Sequence, residues 1–235
     1  MLLAHTQILT VRVGIFALNH FSMAPDPEVY KKMLKELGAN VQLVAVSKTK
    51  TVEEILALYA EGQRDFGENY VQELLDKQTR LPADIRWHFI GHLQSNKVKY
   101  IIPFVYLIHG VDSLRLLKEI DRQAAKSGRI VDVLLQVHVA REETKFGLDT
   151  AEVAEVMQAA PAMAHVRVRG LMGMASNTED GEAVRAEFRA LKGLLDRCFP
   201  AGGVLSMGMS GDYKVAIEEG STMVRIGSLL FGARG

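Results

Sequence analysis

The chain lacks most features that mark a secreted, metal-binding or nucleic-acid-binding protein. Its only cysteine is Cys198, which excludes an internal disulfide and argues against a zinc site built from thiolates. The 28 basic residues equal the 28 acidic ones, so no overall charge draws nucleic acid or an anionic membrane to the protein. No low-complexity stretch or long block of like charge suggests a linker between domains. We therefore expect a cytoplasmic protein that binds neither nucleic acid nor a membrane. We also expect a monomer.

The first 23 residues lack both a membrane span and a secretion signal. Their apolar patch, residues 13–18, is far too short to cross a bilayer, and Arg12 interrupts the apolar core that a signal peptide needs. We interpret residues 1–23 as a poorly ordered extension or a misassigned start, with Met23 as the true first residue. The folded domain is then predicted to span residues 24–235.

Strand-like and helix-like segments alternate along the rest of the chain. A helix is predicted to begin at Asp26 and Pro27, which are typical of a helix start, and to end at Gly38. Short apolar runs then recur, each followed by a segment with helical periodicity. The predicted strands are residues 41–47, 65–69, 86–91, 105–108, 131–137, 166–172, 204–207 and 222–226.

Eight strand–helix units in about 200 residues predict an α/β protein with the (β/α)8 or TIM-barrel fold and an extra N-terminal helix. An open doubly wound sheet is the alternative. The first strand is not followed by the Gly-x-Gly-x-x-Gly motif that would support it, so we favour the barrel.

Lys48 stands at the end of the first predicted strand, where an ammonium group is costly unless it has a partner or a function. A partly desolvated lysine beside a second cation loses its proton more readily and can form a Schiff base with an aldehyde. If the strand continues, Lys50 lies on the same side and supplies that second cation. The alternative is an ordinary surface lysine at a strand end.

Small residues follow the seventh and eighth strands, where barrel enzymes commonly hold phosphate. Ser210 lies between two glycines after the seventh strand, and Gly227 and Ser228 follow the eighth. Backbone N–H groups at two helix starts would converge there on one anion. Small residues are also ordinary helix caps, but their occurrence together at this place favours a phosphate site.

Arg225 precedes Gly227 by two residues, so strand alternation predicts that its side chain lies on the same side of the strand as Gly227. A ligand with an aldehyde and a phosphate would use Arg225, Lys48 and the phosphate site together. Pyridoxal 5′-phosphate (PLP) is such a ligand, and so are the sugar phosphates handled by Schiff-base aldolases. A guanidinium only donates hydrogen bonds, so facing the pyridine nitrogen it would leave that nitrogen unprotonated. The alternative is a barrel-lining charge paired with a glutamate such as Glu68.

Several motifs resemble those of the YggS/PROSC family of pyridoxal-phosphate-binding proteins, over about residues 41 to 234. The matching segments are AVSKTK at 45–50, FGENY at 66–70, WHFIGHLQSNK at 87–97, LSMGMS at 205–210 and GSTMVRIG at 220–227. The resemblance implies the barrel of the N-terminal domain of alanine racemase, a role in vitamin B6 homeostasis and no dedicated catalytic reaction. It also implies a set of residues that hold PLP: a Schiff base at Lys48, phosphate contacts from Ser210, Gly227 and Ser228, Arg225 near the pyridine nitrogen and Asn69 beside the ring.

Three functions are open from the sequence: a PLP carrier or regulator, a small PLP-dependent amino-acid racemase, and a Schiff-base sugar-phosphate aldolase. The racemase that the barrel resembles completes its site with a tyrosine from a second domain. We expect no such domain after the eighth unit, so we favour the carrier, with PLP-dependent apo-enzymes as candidate partners. His88 and His92 lie on a strand and its following loop, so we expect no metal site from them. Lys145 is assigned no role.

Overall fold

The computed structural model describes residues 25–140 and 146–232. Eight parallel strands close into a barrel in the order of the sequence, which confirms the predicted fold. The predicted extension, residues 1–23, and Lys145 lie outside the described residues. The strands are β1 Gln42–Val46, β2 Asp65–Glu68, β3 Arg86–Phe89, β4 Leu107–Val111, β5 Val131–Gln136, β6 Val166–Met172, β7 Val204–Ser206 and β8 Met223–Ile226.

Helices connect these strands around the outside of the barrel. They are α1 Pro27–Leu37, α2 Val52–Ala60, α3 Val71–Arg80, α4 Val98–Ile101, α5 Leu114–Lys126, α6 Thr150–Ala159, α7 Gly181–Cys198, α8 Tyr213–Glu218 and α9 Ser228–Phe231, with short 3₁₀ turns at Ser95–Lys97 and Ala160–Ala162. The predicted N-terminal helix α1 is capped by Asp26, whose carboxylate accepts from the Glu28 N–H at 2.8 Å. None of the helices in residues 25–140 or 146–232 is long and apolar enough to cross a membrane.

The barrel closes where β1 pairs with β8. Gln42 lies opposite Met223, and Ala45 lies opposite Ile226. Because neighbouring residues of a strand face opposite sides, Leu43 and Ala45 pack against the helices while Val44 faces the barrel interior. A small apolar cluster fills part of that interior: Val44, Leu107, Leu134, Met172 and Met223.

The fourth strand lies later in the chain than the predicted 105–108. Val105 is not part of the sheet, because its N–H donates to the Ile101 carbonyl at the end of the preceding helix. The strand instead continues through His109 and Gly110, which are polar or small and do not follow a simple apolar pattern. His109 is fully buried. A side chain at Gly110 would overlap the backbone of Gly91, which lies just after β3.

We predict that Gly170→Ala destabilises the fold, because a methyl group there would overlap the carbonyl oxygen of Val204 on the neighbouring strand β7. Overpacking of this kind costs about 1–3 kcal/mol in the free energy of unfolding, which urea denaturation measures. Gly181→Ala is the matched control, because no atom lies within 4 Å of the added methyl group at the start of α7. That control should be neutral or stabilising by up to about 1 kcal/mol. Equal effects of the two substitutions would contradict the prediction.

Candidate functional site

One cavity at the carboxyl ends of the strands contains all the residues that the sequence analysis predicted to hold a ligand. Its volume is about 560 Å³. The lysine lies at the end of β1, and the other residues come from the ends of β2, β7 and β8. The predicted residues that line the cavity are Lys48, Asn69, Ser210, Arg225, Gly227 and Ser228.

Lys48 lies on a turn and not on the strand itself. Strand β1 ends at Val46, and the Lys50 N–H donates back to the Ser47 carbonyl at 3.0 Å. Thr49 has a φ of 65°, a left-handed conformation that is unusual for a β-branched residue. Its N–H donates to the Glu73 carboxylate at 2.6 Å, which holds the turn in place. Lys48 is thereby presented to the cavity, partly buried, by a constrained backbone.

Lys50 also lines the cavity. The expectation that a continuing strand places Lys48 and Lys50 on the same side is wrong, because β1 ends at Val46, before both residues. The Lys50 ammonium is bound by the Glu54 carboxylate at 3.2 Å and by the Phe231 carbonyl at 3.1 Å. Glu54 therefore offsets the charge that was expected to act on Lys48. A neighbouring carboxylate of this kind weakens the proposed effect of Lys50 on the lysine nucleophile.

A buried ion pair supports the Lys48 turn from the outer face of the barrel. The Glu68 carboxylate accepts from the Ser47 hydroxyl at 2.6 Å and from the Lys77 ammonium at 2.8 Å. Lys77 also donates to the Ser47 carbonyl at 2.7 Å and to Glu73, the residue that holds Thr49. Burial raises the pKa of Glu68, and the charge of Lys77 opposes that shift.

The role of Lys77 was not predicted from the sequence, because a lysine at this position of a helix is usually exposed to solvent. The available signal was Glu68, an acid inside a short strand whose every residue is buried. A fully buried carboxylate needs a cationic or hydrogen-bonding partner, and Lys77 lies nine residues later on the helix that follows.

The loops after β7 and β8 meet at the other side of the cavity. The Ser210 hydroxyl accepts from the Gly227 N–H at 3.4 Å, which joins the two loops. Gly208 has a φ of 95°, and a methyl group there would lie 2.7 Å from the Ala216 side chain. The glycine lets the loop pack closely on helix α8. The two loops thus bring hydroxyl groups and backbone N–H groups together, as the phosphate hypothesis requires.

Arg225 lies at the floor of the cavity and is only 4% exposed. Its guanidinium donates to the Ser206 hydroxyl at 2.7 Å, to the Ser206 carbonyl at 2.8 Å and to the Gly173 carbonyl at 3.2 Å. The alternative pairing of Arg225 with Glu68 is wrong, because Glu68 faces helix α3 on the outer side of the barrel wall. Burial lowers the pKa of Arg225 to about 10, with Asp212 opposing the shift, so the group stays charged at neutral pH.

Asn69 carries a polar atom without a partner. Its side-chain Oδ1 is buried and accepts no hydrogen bond within the described part of the chain. A buried unsatisfied acceptor costs about 1–3 kcal/mol unless a ligand or water supplies a donor. Gly91 packs directly on the Asn69 backbone, and any side chain at Gly91 would overlap it. The acceptor is therefore held beside the cavity by close backbone packing.

A second cavity of about 570 Å³ shares Asn69 with the first. Gln94 and Lys97, which belong to the long motif 87–97, line this second cavity and not the one with Lys48. His88 and His92 do not act as a pair. His88 is buried against Asp65, and His92 binds Asp112 at 2.9 Å on the surface.

Comparisons with known proteins identify relatives of this chain. The model of the alanine racemase N-terminal domain matches residues 28–235. The pyridoxal phosphate homeostasis protein of Aquifex aeolicus is 45% identical over 198 residues, which cover 82% of this chain and 87% of the relative. The protein of that name from Vibrio alginolyticus is 42% identical over 203 residues, with 83% and 87% covered.

Solved structures give the same result. PipY of Synechococcus elongatus, solved with PLP bound, is 36% identical and superposes with a TM-score of 0.81 over 88% of this chain and 99% of that chain. Alanine racemase of Clostridium difficile is 13% identical with a TM-score of 0.71, over 88% of this chain and 56% of that chain. The latter similarity concerns the fold alone.

We predict that Lys77→Met lowers the free energy of unfolding by about 3–5 kcal/mol, because it leaves the buried Glu68 carboxylate without its cation. Adding Glu68→Gln should restore much of that loss, since the charge that needed a partner is then gone. Lys31→Met is the control, because the side chain of Lys31 is 57% exposed and its ion pairs with Glu28 and Glu61 lie at the surface, where removing them should change stability little. Urea denaturation measures all three variants, and a double variant less stable than Lys77→Met would contradict the account.

Proposed function

This chain belongs to the alanine racemase N-terminal domain family, and we propose that its strand-end cavity binds PLP for PLP homeostasis without a dedicated catalytic reaction. The observation that carries the proposal is the placement of Lys48, Arg225 and the Ser210 loop around one cavity. The cavity offers an amine, a set of phosphate-binding donors and a buried cation. Relatives more than 40% identical are named pyridoxal phosphate homeostasis proteins, which supports this assignment.

The donors and acceptors of the cavity fit the groups of PLP. The hydroxyls of Ser210 and Ser228 and the N–H of Gly227 would hold the phosphate. The unpaired Oδ1 of Asn69 would accept a hydrogen bond from the ring hydroxyl, which satisfies an atom that has no partner among the described residues. When bound, PLP supplies an aldehyde carbon with which the Lys48 amine can form a Schiff base.

Arg225 would influence the reactivity of a bound PLP. A guanidinium only donates hydrogen bonds, and the protein around Arg225 offers it the acceptors of Ser206 and Gly173. Facing the ring nitrogen, Arg225 would donate to it and leave it unprotonated, which weakens the ring as an electron sink. We propose that the protein delivers PLP to apo-enzymes, because the cavity opens at the mouth of the barrel and a ligand there stays accessible.

We predict that Lys48→Ala abolishes covalent retention of PLP after reduction with borohydride, whereas Lys50→Ala keeps it. The two lysines line the same cavity, but Lys50 is held by Glu54 and the Phe231 carbonyl. Peptide mass spectrometry of the reduced protein locates the adduct on the wild-type chain. An adduct on Lys50 or Lys145 would refute the assignment of Lys48.

The carrier assignment predicts that the purified, PLP-loaded protein does not exchange the α-proton of alanine for deuterium at enzymatic rates. The exchange rate measured by NMR should stay far below about one per second. An active amino-acid racemase in the same buffer is the positive control, and transfer of PLP to an apo-enzyme tests the carrier role directly. Exchange at about one per second or faster would favour the racemase.

A further inference from the structure

A continuous line of hydrogen bonds runs through the inside of the barrel. It starts at Arg225 and passes to the Ser206 hydroxyl at 2.7 Å, then from Ser206 to His109 Nδ1 at 3.0 Å. The Nε2 atom of His109 lies 2.9 Å from His88 Nδ1, and His88 Nε2 lies 2.9 Å from the Asp65 carboxylate. All five side chains are buried, and those of Ser206, His88 and His109 are fully buried. The line therefore connects the floor of the ligand cavity with the opposite end of the barrel.

The Asp65 end of the line is an acceptor. Burial alone would raise the pKa of Asp65, but hydrogen bonds from Arg86 and His88 outweigh that effect and lower the pKa to about 2. The carboxylate is therefore ionised at neutral pH and can only accept hydrogen bonds. His88 must donate to it through Nε2–H.

The rest of the line then has one consistent direction. Burial lowers the pKa of His88 and His109, so each ring is neutral and carries one donor and one acceptor nitrogen. With Nε2 of His88 as the donor, its Nδ1 accepts from His109 Nε2–H. The Nδ1 of His109 then accepts from the Ser206 hydroxyl. Arg225 can only donate, so it donates to the Ser206 oxygen, and every member of the line is satisfied.

We propose that Asp65, His88, His109 and Ser206 are positioning residues that set the orientation of the Arg225 guanidinium toward the ligand. The line directs the Ser206 hydrogen toward His109, so the Ser206 oxygen presents a lone pair to Arg225. Consecutive hydrogen bonds of one direction polarise each other, which strengthens the bond at the Arg225 end. The proposal rests on the proposed function, because it assigns Arg225 to the ring of bound PLP.

The occupied donors of Arg225 show what this orientation achieves. The bonds to Ser206 and Gly173 use three of the five guanidinium N–H groups. The remaining two are left for a ligand in the cavity. A guanidinium that rotated away from Ser206 would no longer present them at a fixed place.

Two substitutions of His109 separate this role from simple packing. In His109→Asn the amide oxygen takes the place of Nδ1 and keeps an acceptor for the Ser206 hydroxyl. In His109→Gln the amide nitrogen takes the place of Nε2 and keeps the donor toward His88, but the acceptor for Ser206 is lost. Both are uncharged amides, so a merely structural role predicts similar behaviour. Ser206→Ala removes the hydroxyl acceptor of Arg225, leaves the carbonyl acceptors of Ser206 and Gly173, and is the positive control.

The first measurement uses the ligand-free protein with ¹⁵N-labelled histidine rings. NMR should show His88 and His109 as neutral rings protonated on Nε2 at neutral pH. An Nδ1–H tautomer or a charged ring at either position would overturn the proposal. Hydrogen exchange of the Arg225 guanidinium should be about tenfold faster in His109→Gln and Ser206→Ala than in wild type. The rate in His109→Asn should lie between these values, because this variant keeps the acceptor for Ser206 but loses the donor toward His88.

The second measurement is the dissociation constant for PLP. It should rise about tenfold in His109→Gln and Ser206→Ala relative to His109→Asn. Equal exchange rates and equal affinities for the two His109 variants would overturn the positioning role. If the wild-type protein fails to bind PLP, the proposed function is wrong. The tautomer and exchange measurements on the ligand-free protein still test the hydrogen-bond line and the positioning of Arg225.

If a His109 variant does not fold, the wild-type tautomers and the exchange rate in Ser206→Ala test the positioning role instead.

Discussion

The pairing of the first strand with the last is the constraint on which the candidate site depends. Val44 lies opposite Arg225 in the closed barrel, so Lys48 near the start of the chain reaches the cavity that Gly227 and Ser228 line near its end. A shift of either strand by one residue would turn its side chains to the other face of the wall. The register of this one strand pair therefore determines whether the amine, the phosphate-binding loops and the buried cation face one another.

Two separate polar systems support the cavity from opposite faces of the barrel wall. Ser47 and Glu68 face outward and bind Lys77, whereas their neighbours Lys48 and Asn69 line the cavity. Each of these two cavity residues thus has an adjacent residue that is anchored on the outer face of the wall. Such buried polar groups contribute little net stability, so their value lies in fixing geometry. The interior line that ends at Arg225 supports the other side of the cavity in the same way.

Much of this arrangement could be predicted from the sequence, and the limits have physical causes. Apolar periodicity and helix caps predicted the barrel, and the rule that chemistry lies at strand ends predicted Lys48 and Ser210. Asn69 was predicted only through the resemblance to a known family. His109 and Lys77 were missed, because periodicity tells which way a side chain faces but not which distant residue it meets. The alternative pairing of Arg225 with Glu68 could have been excluded, since Arg225 faces the barrel interior and Glu68 faces the helices.

A crystal structure of the protein grown with PLP is the most direct test of the central claim, which is that the strand-end cavity binds PLP. The account predicts electron density continuous with the Lys48 side chain, a phosphate within hydrogen-bond distance of Ser210, Gly227 and Ser228, and the ring nitrogen facing Arg225. Ligand density in the neighbouring cavity beside Lys97, or a phosphate at the Lys48 end of the site, would contradict it.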